Sequence, residues 1–230
     1  MAPIMKNVVE NHRGHTVLAF APGSSPLVID GGAHKGEFAR SVAKAWNARC
    51  HSVEASPFLF EGMELPSGAV GHNFAIAGED GELTFAIEEN PEASHIGQSS
   101  ESSSGRHISV PARSLGNFVE EIAPNGLDLM KLDIEGAEIV ALRSMTDEQL
   151  RRVGQITVEF HDFCGYITRE EVNQTLVRLR SLGFLDFNFS FRTRGDVLLV
   201  NTAVHRLNLF DKIRVGVYER FRQRFLRARG

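Results

Sequence analysis

Val28-Ile29-Asp30-Gly31-Gly32-Ala33-His34-Lys35-Gly36 is the stretch that decides the fold. Leu27 to Asp30 is a short, mostly apolar run behind Pro26, and glycines at 31, 32 and 36 interrupt it. Glu37–Trp46 then sets Phe38, Val42, Ala45 and Trp46 at helical spacing. A buried strand, a glycine turn and a helix form the opening unit of a parallel α/β sheet. Such a turn lies at the sheet's carboxyl edge, where ligands of these folds bind. Glycine there lets a ligand approach the backbone without meeting a Cβ.

The alternation continues outward from that turn. His15–Phe20 reads as an opening strand, Cys50–Glu54 as a strand, Pro57–Glu64 as a helix and Val70–Ile76 as a further strand. Gly78-Glu79-Asp80-Gly81 marks a turn into Glu82–Ile87, a strand leaving a hairpin. Residues 88–106 are rich in Ser, Glu and Gly, a polar loop longer than compact domains usually carry, and read either as a substrate lid around Ser94–Gln98 or as a disordered surface insertion. Ser114 is placed to cap a helix through Ile122, Leu127–Asp133 is a strand, Glu138–Met145 a helix and Gln155–Phe160 a strand. Thr168 and Glu171 form a capping-box signature for a helix to Leu182, which Gly183 ends. Phe184–Phe191 and Val197–Ala203, joined by a short turn, must pair antiparallel. The expected fold is α/β and Rossmann-like: a mostly parallel sheet, one antiparallel strand near an end, helices on both faces. With no repeat and no linker, the chain reads as one domain. Its core is at about 27–203, with an N-terminal extension at 1–26 and a basic helix in 204–230.

Composition narrows the classes. A 230-residue chain with 42% hydrophobic and 23% charged residues is globular, neither disordered nor collagen-like. Its net charge of −4 argues against general nucleic-acid binding, which neutralises phosphates. Cys50 and Cys164 have no CxxC spacing, so they build neither a disulfide framework nor a four-cysteine metal site; both read as small core residues. Polar residues Asn11, His12, Arg13 and His15 spoil any signal peptide, and no run approaches the roughly 20 apolar residues of a membrane span. A soluble, cytoplasmic protein is expected.

The chemistry starts at the same turn. Glu54 follows Asp30 by 24 positions, at the end of the next strand. A carboxylate there can accept both hydroxyl hydrogens of a ribose. Two nucleoside cofactors suit this geometry. NAD wants GxGxxG to hold a pyrophosphate, and His34 breaks that triplet. S-adenosylmethionine has no phosphate but carries a sulfonium and an ammonium, so Asp30 beside the glycines suits it better.

A second segment, Lys131-Leu132-Asp133-Ile134-Glu135-Gly136-Ala137-Glu138, leaves a strand that should lie beside the first. Asp133 then meets the glycine turn, and an acid at a buried strand end needs a partner. Gly136 allows a tight turn, and Glu135 and Glu138 suit the positive end of the following helix. Val158-Glu159-Phe160-His161 ends the next strand, and Glu159 and His161 share one side by period-two alternation. Asp133, Glu159 and His161 converging at one sheet edge are candidate acid–base machinery, with Asp133 or His161 as the base and Glu159 orienting it, or ligands for a divalent cation.

Val28–Phe38, Asn73-Phe74-Ala75-Ile76 followed by Gly81-Glu82-Leu83-Thr84-Phe85, and Met130–Glu138 together resemble the FkbM family of methyltransferases, over about Leu27–Ala203. The resemblance implies the seven-stranded methyltransferase sheet, with its antiparallel strand in the last hairpin, and S-adenosylmethionine as cofactor. It implies cofactor contacts from Asp30, Gly31, Gly32, Ala33, His34 and Gly36, from Glu54 with Ala55, from Asn73 with Ala75, and from Asp133. The family usually has Asn where this chain has His34. Members methylate mostly oxygens on sugars, glycoconjugates and secondary metabolites, so a small-molecule or glycoconjugate acceptor is expected, and no nucleic acid. Ser94, His95 and Glu135 are the candidate acceptor contacts. The competing readings are an NAD-dependent oxidoreductase and a cofactor-binding module without catalysis. From Lys212 onward, arginines interleave with Val217, Phe221 and Phe225 at every fourth position. Such a basic amphipathic helix either packs on its own domain or lies on an anionic membrane surface. Homo-oligomerisation is compatible with all of this.

Overall fold

The computed structural model describes residues 1–87, 106–165, 167–190 and 193–219. The chain opens with β1 (Ile4–His12) and β2 (His15–Phe20), followed by β3 (Leu27–Gly31), α1 (Glu37–Trp46), β4 (Arg49–Glu54), α2 (Pro57–Glu61) and β5 (Val70–Asn73). Next come β6 (Ala75–Ala77), β7 (Gly81–Ile87), β8 (Arg106–Ser114), α3 (Leu115–Ile122), β9 (Leu127–Leu132) and α4 (Glu138–Ser144). The remainder is α5 (Asp147–Arg151), β10 (Val153–Val158), α6 (Arg169–Ser181), β11 (Phe184–Asn188), β12 (Val197–Asn201) and α7 (Leu209–Ile213), with a π-helical turn Arg214–Glu219.

Seven strands form the central sheet in the order β11-β12-β10-β9-β3-β4-β5. β12 runs antiparallel to β10 and β11, and the other neighbouring pairs are parallel. The chain winds outward from β3 to β5 and returns to β9 on the other flank of β3. Strand order therefore reverses between β3 and β9, where open α/β sheets bind their ligands.

Alternation along the strands sorts the core onto two faces. Ile29, Met130, Ile156 and Val158 pack beneath α3, α4 and α6, while Val28, Cys50 and Leu129 pack against α1 through Phe38, Val42 and Trp46. Each such fully buried side chain contributes roughly 1.5–3 kcal/mol. The β1–β2 hairpin covers the α1 face further along, with Leu18 against Phe187, Leu198 and Val200. Two buried polar contacts fix it: the Gln155 side chain exchanges hydrogen bonds with the Leu18 backbone, and the Thr16 amide and hydroxyl both donate to Asp196.

Several elements depart from the sequence reading. Val70–Ile76 is not one strand, because Asn73 Nδ2 donates to the carbonyls of Glu54 and Ala55 and Phe74 turns in against Phe118, ring centroids 5.0 Å apart. The chain thereby leaves the central sheet, and β6 joins a separate sheet ordered β6-β8-β7. β7 thus pairs with β8, not with the strand before it. β8 tolerates Pro111 because that residue has a register partner only on β7, and pairing with β6 begins one residue later. Cys50 is buried as expected, but Cys164 is exposed. No helix among the described residues is long and apolar enough to cross a membrane.

Candidate active site

The glycine turn is shaped by the protein's own backbone. Gly32 has φ +75°, and a Cβ there would lie 1.8 Å from the Asp133 carbonyl oxygen. Gly36, also at φ +75°, would place a Cβ 2.5 Å from the Glu64 carbonyl oxygen, and Gly31 would meet Ile76 at 2.8 Å. The missing side chains therefore make room for neighbouring strands and loops, rather than for a ligand as the sequence suggested. His34 sits at φ +49°, a left-handed conformation that Asn and His adopt more readily than most residues. Its amide donates to Glu54 Oε2 at 2.8 Å. The exchange of Asn for His thus keeps the backbone shape, and the amide supplies the contact within the protein.

Glu54 is held from two sides, with Oε1 accepting from the Ser56 amide at 2.8 Å. The amides of Gly32 and Ala33 donate to the Val53 carbonyl at 3.0 and 2.9 Å, tying the turn to the end of β4. Ala75 is buried and packs with Val110 and Ala55, so it supports the site from behind. Ser94 and His95, with most of the 88–106 loop, lie outside the described residues.

Asp30 is enclosed rather than presented to the cleft. Its side chain is fully buried, with Lys131 Nζ 3.2 Å away. The same ammonium donates to the carbonyls of Gly31 and Gly32 at 3.1 and 2.6 Å and lies 3.8 Å from Asp133. Burial alone would lower the lysine, but the charges of Asp30 and Asp133 raise it above its ordinary value. A cleft of about 210 Å³ opens beside this turn, lined by Gly32, Ala33, His34, Lys131 and Asp133 and, from the β1–β2 hairpin, by Arg13 and His15.

Asp133, Glu159 and His161 do converge. His161 Nε2 lies 3.7 Å from Asp133 and 3.4 Å from Glu135, while Nδ1 lies 2.9 Å from Glu138. Glu138 is fully buried, and its Oε1 also accepts from the amides of Ile134 and Gly136 at 3.1 Å each. It shapes the turn and orients the imidazole together. Asp133 meets His15 Nε2 at 3.4 Å on its other oxygen. Two sets of ligand atoms, from His15, Asp133 and Glu159 and from Asp133, Glu135 and His161, each lie within 4.8 Å of one another.

Crowding of charge divides these groups by acidity. Burial would raise Asp133, but the His15 hydrogen bond and the Lys131 charge hold it well below the usual carboxylate range. Burial lowers His161, yet the hydrogen bond and charge of Glu138, with Glu135 and Asp133, outweigh it and push the imidazolium up to about 9. Glu159 is raised to about 7, by burial first and then by the charge of Asp133.

A family model for the methyltransferase FkbM domain matches residues 30–185. The chain belongs to the FkbM methyltransferase family. The matched span of this FkbM domain runs from Asp30 through the glycine turn, Glu54 and the Asp133–His161 cluster to the start of β11. No curated protein matches the chain. Among solved structures, a TehB-like SAM-dependent methyltransferase from Corynebacterium glutamicum is 14% identical, with 78% of this chain and 79% of that one covered and a TM-score of 0.40. A precorrin-6y C5,15-methyltransferase from Geobacter metallireducens is 11% identical, with 76% and 78% covered and a TM-score of 0.37.

Three residues of this candidate site escaped the sequence reading. Lys131 was visible as a lysine inside the apolar strand Leu127–Leu132, where a buried charge needs a partner. Glu138 read as a first-turn helix acid, which it is, but its hold on His161 depends on the end of β10. His15 had no local signal, because only the hairpin's placement across the sheet brings it to Asp133.

Proposed function

We propose that the chain transfers the methyl group of S-adenosylmethionine to a hydroxyl oxygen of a sugar, glycoconjugate or other small molecule. The observation that carries this reading is the cluster at the β3–β9–β10 edge: a carboxyl poised near neutrality, Glu159, within 4.8 Å of His15 and Asp133, which line the cleft of the glycine turn. The residues suit the cofactor. Glu54, fixed by two amides at 2.8 Å, still has lone pairs for a ribose diol. Bound S-adenosylmethionine supplies a methyl group on a sulfonium, an excellent leaving group.

The chain's own residues then position the acceptor and take its proton. Orientation of this kind supplies up to about 7–11 kcal/mol. Glu159 receives the hydroxyl proton, since a group near 7 is matched to neutral pH. This differs from the sequence expectation of Asp133 or His161 as base. Asp133 is too weak a base, and His161 is held protonated; they orient the acceptor and balance charge around Glu159. The Glu159→Gln variant should lose about 10²–10⁴-fold in kcat, keep its affinity for S-adenosylmethionine, and lose the rise in rate through about pH 7 that deprotonation of Glu159 confers. Wild-type turnover in that variant would end the assignment. Incubation with labelled cofactor and a panel of sugars and glycoconjugates identifies the acceptor class.

The same donors suit a divalent cation, and the ligand atoms within 4.8 Å of one another favour that second reading. Against it, His15, His161 and Lys131 already stand 3.4, 3.7 and 3.8 Å from Asp133. Proton transfer without a metal predicts unchanged turnover in a chelator. Loss of turnover, restored by magnesium, would move the assignment to the cation.

A further inference from the structure

The element after the last strand carries an apolar stripe that the described residues leave exposed. Leu209, Phe210, Ile213 and Val217 are 74%, 67%, 54% and 53% exposed, at spacings that recur along one side of a helix. The other side is docked: Val215 is buried with Phe187 and Leu207, Asp211 is buried, and Gly216 packs against the Phe187 ring. The sequence had placed Val217 on the face that could pack against the domain, but Val215 takes that place. Residues 212–230 carry one lysine and six arginines against one glutamate, in a chain whose total charge is −4. Residues 220–230 contribute here through their sequence alone.

We propose that α7 and its π-helical turn dock the protein on an anionic lipid surface. The four apolar side chains enter the boundary between headgroups and acyl chains, and the cations of 212–230 meet the lipid charges. Charge and hydrophobicity together select this partner. A second copy of the chain would bring two such cationic segments face to face. A nucleic acid or other polyanion would satisfy the arginines but offer no apolar phase to the stripe. Because the element is anchored through Val215 and Gly216, the stripe is presented outward without rearrangement of the core.

The test is co-sedimentation of the full chain with phosphatidylcholine vesicles, with and without about one-third phosphatidylglycerol. Binding to the mixed vesicles and not to pure phosphatidylcholine is expected. The double variant Leu209→Asp/Phe210→Asp should bind at least about tenfold more weakly, and Arg222→Gln or Arg224→Gln about fivefold more weakly each. All should melt like wild type, since the substituted aspartates replace exposed side chains and each glutamine removes one charge with little change in volume. Equal partitioning to both vesicle types, failure to bind either, or indifference to the aspartates overturns the proposal. So does binding to heparin while the mixed vesicles are ignored, or a dimer in sedimentation velocity that the aspartates abolish while vesicles are ignored.

Discussion

Replacing Glu138 with glutamine removes one buried charge and almost no volume. The amide oxygen still accepts from Ile134 and Gly136, which wild type holds at 3.1 Å each, so the turn into α4 keeps its shape. What is lost is the charge-assisted partner of His161 Nδ1 at 2.9 Å. Glu138 is fully buried and His161 nearly so, so solvent screens the pair weakly. A hydrogen bond of this kind contributes about 1.5–3 kcal/mol, or about 3–12 °C in Tm for a domain of this size. The sign with pH follows from the raised imidazolium. Burial opposes the proton, but Glu138, Glu135 and Asp133 lift His161 from 6.5 to about 9, so its stabilisation is complete below about 6.5 and is lost as pH rises through about 9. Chemical denaturation of Glu138→Gln and wild type across that range should show a gap that is widest at pH 6 and closes by pH 10. The imidazole resonances of His161 should titrate at a lower pH in the variant. An equal gap at both ends of the range, with an unmoved imidazole titration, would refute the role given to Glu138.

Two other substitutions test the frame of the site. Gly32→Ala puts a methyl group against the Asp133 carbonyl at a left-handed φ. It should cost more than the common range of about 0.5–3 kcal/mol; a wild-type melting curve would show that the contact yields freely. Lys131→Met strands the buried carboxylate of Asp30 and should cost about 3–5 kcal/mol, with part of the loss recovered in melting experiments by adding Asp30→Asn. No recovery would mean that the ammonium, 3.2 Å from Asp30, acts chiefly on the glycine-turn carbonyls.

What the sequence made legible were features whose physics is local. The strand–glycine–helix unit at 27–46, the Thr168 capping box with Glu171 and the apolar period of the central strands all survive in the structure. So does the antiparallel β12, because two strands joined by a short turn have no other way to pair. The Thr146–Gln149 capping box that opens α5 was equally local and was overlooked. The break at Phe74 was not legible, since Val70–Ile76 alternates well and long-range contacts, Asn73 to the end of β4 and Phe74 on Phe118, pull the chain out of the sheet.

Site geometry divides along the same line. Glu54, Asp133, Glu159 and His161 could be placed at one edge, because strand ends in a parallel sheet share a side. Their protonation could not be read, since it depends on burial and on partners such as His15 and Glu138 from elsewhere in the chain. Asp30 shows the difference most plainly: its position beside the glycines was correct, but Lys131, reaching across from β9, encloses it.

Isothermal titration of the full chain with S-adenosylmethionine bears most directly on the methyl-transfer assignment. One binding site per chain is expected, about 10–150-fold weaker in Glu54→Ala, where a charged hydrogen-bond acceptor is lost; NAD should give no heat. Absence of both heat and thermal shift at saturating S-adenosylmethionine, or tighter binding of NAD, would contradict it.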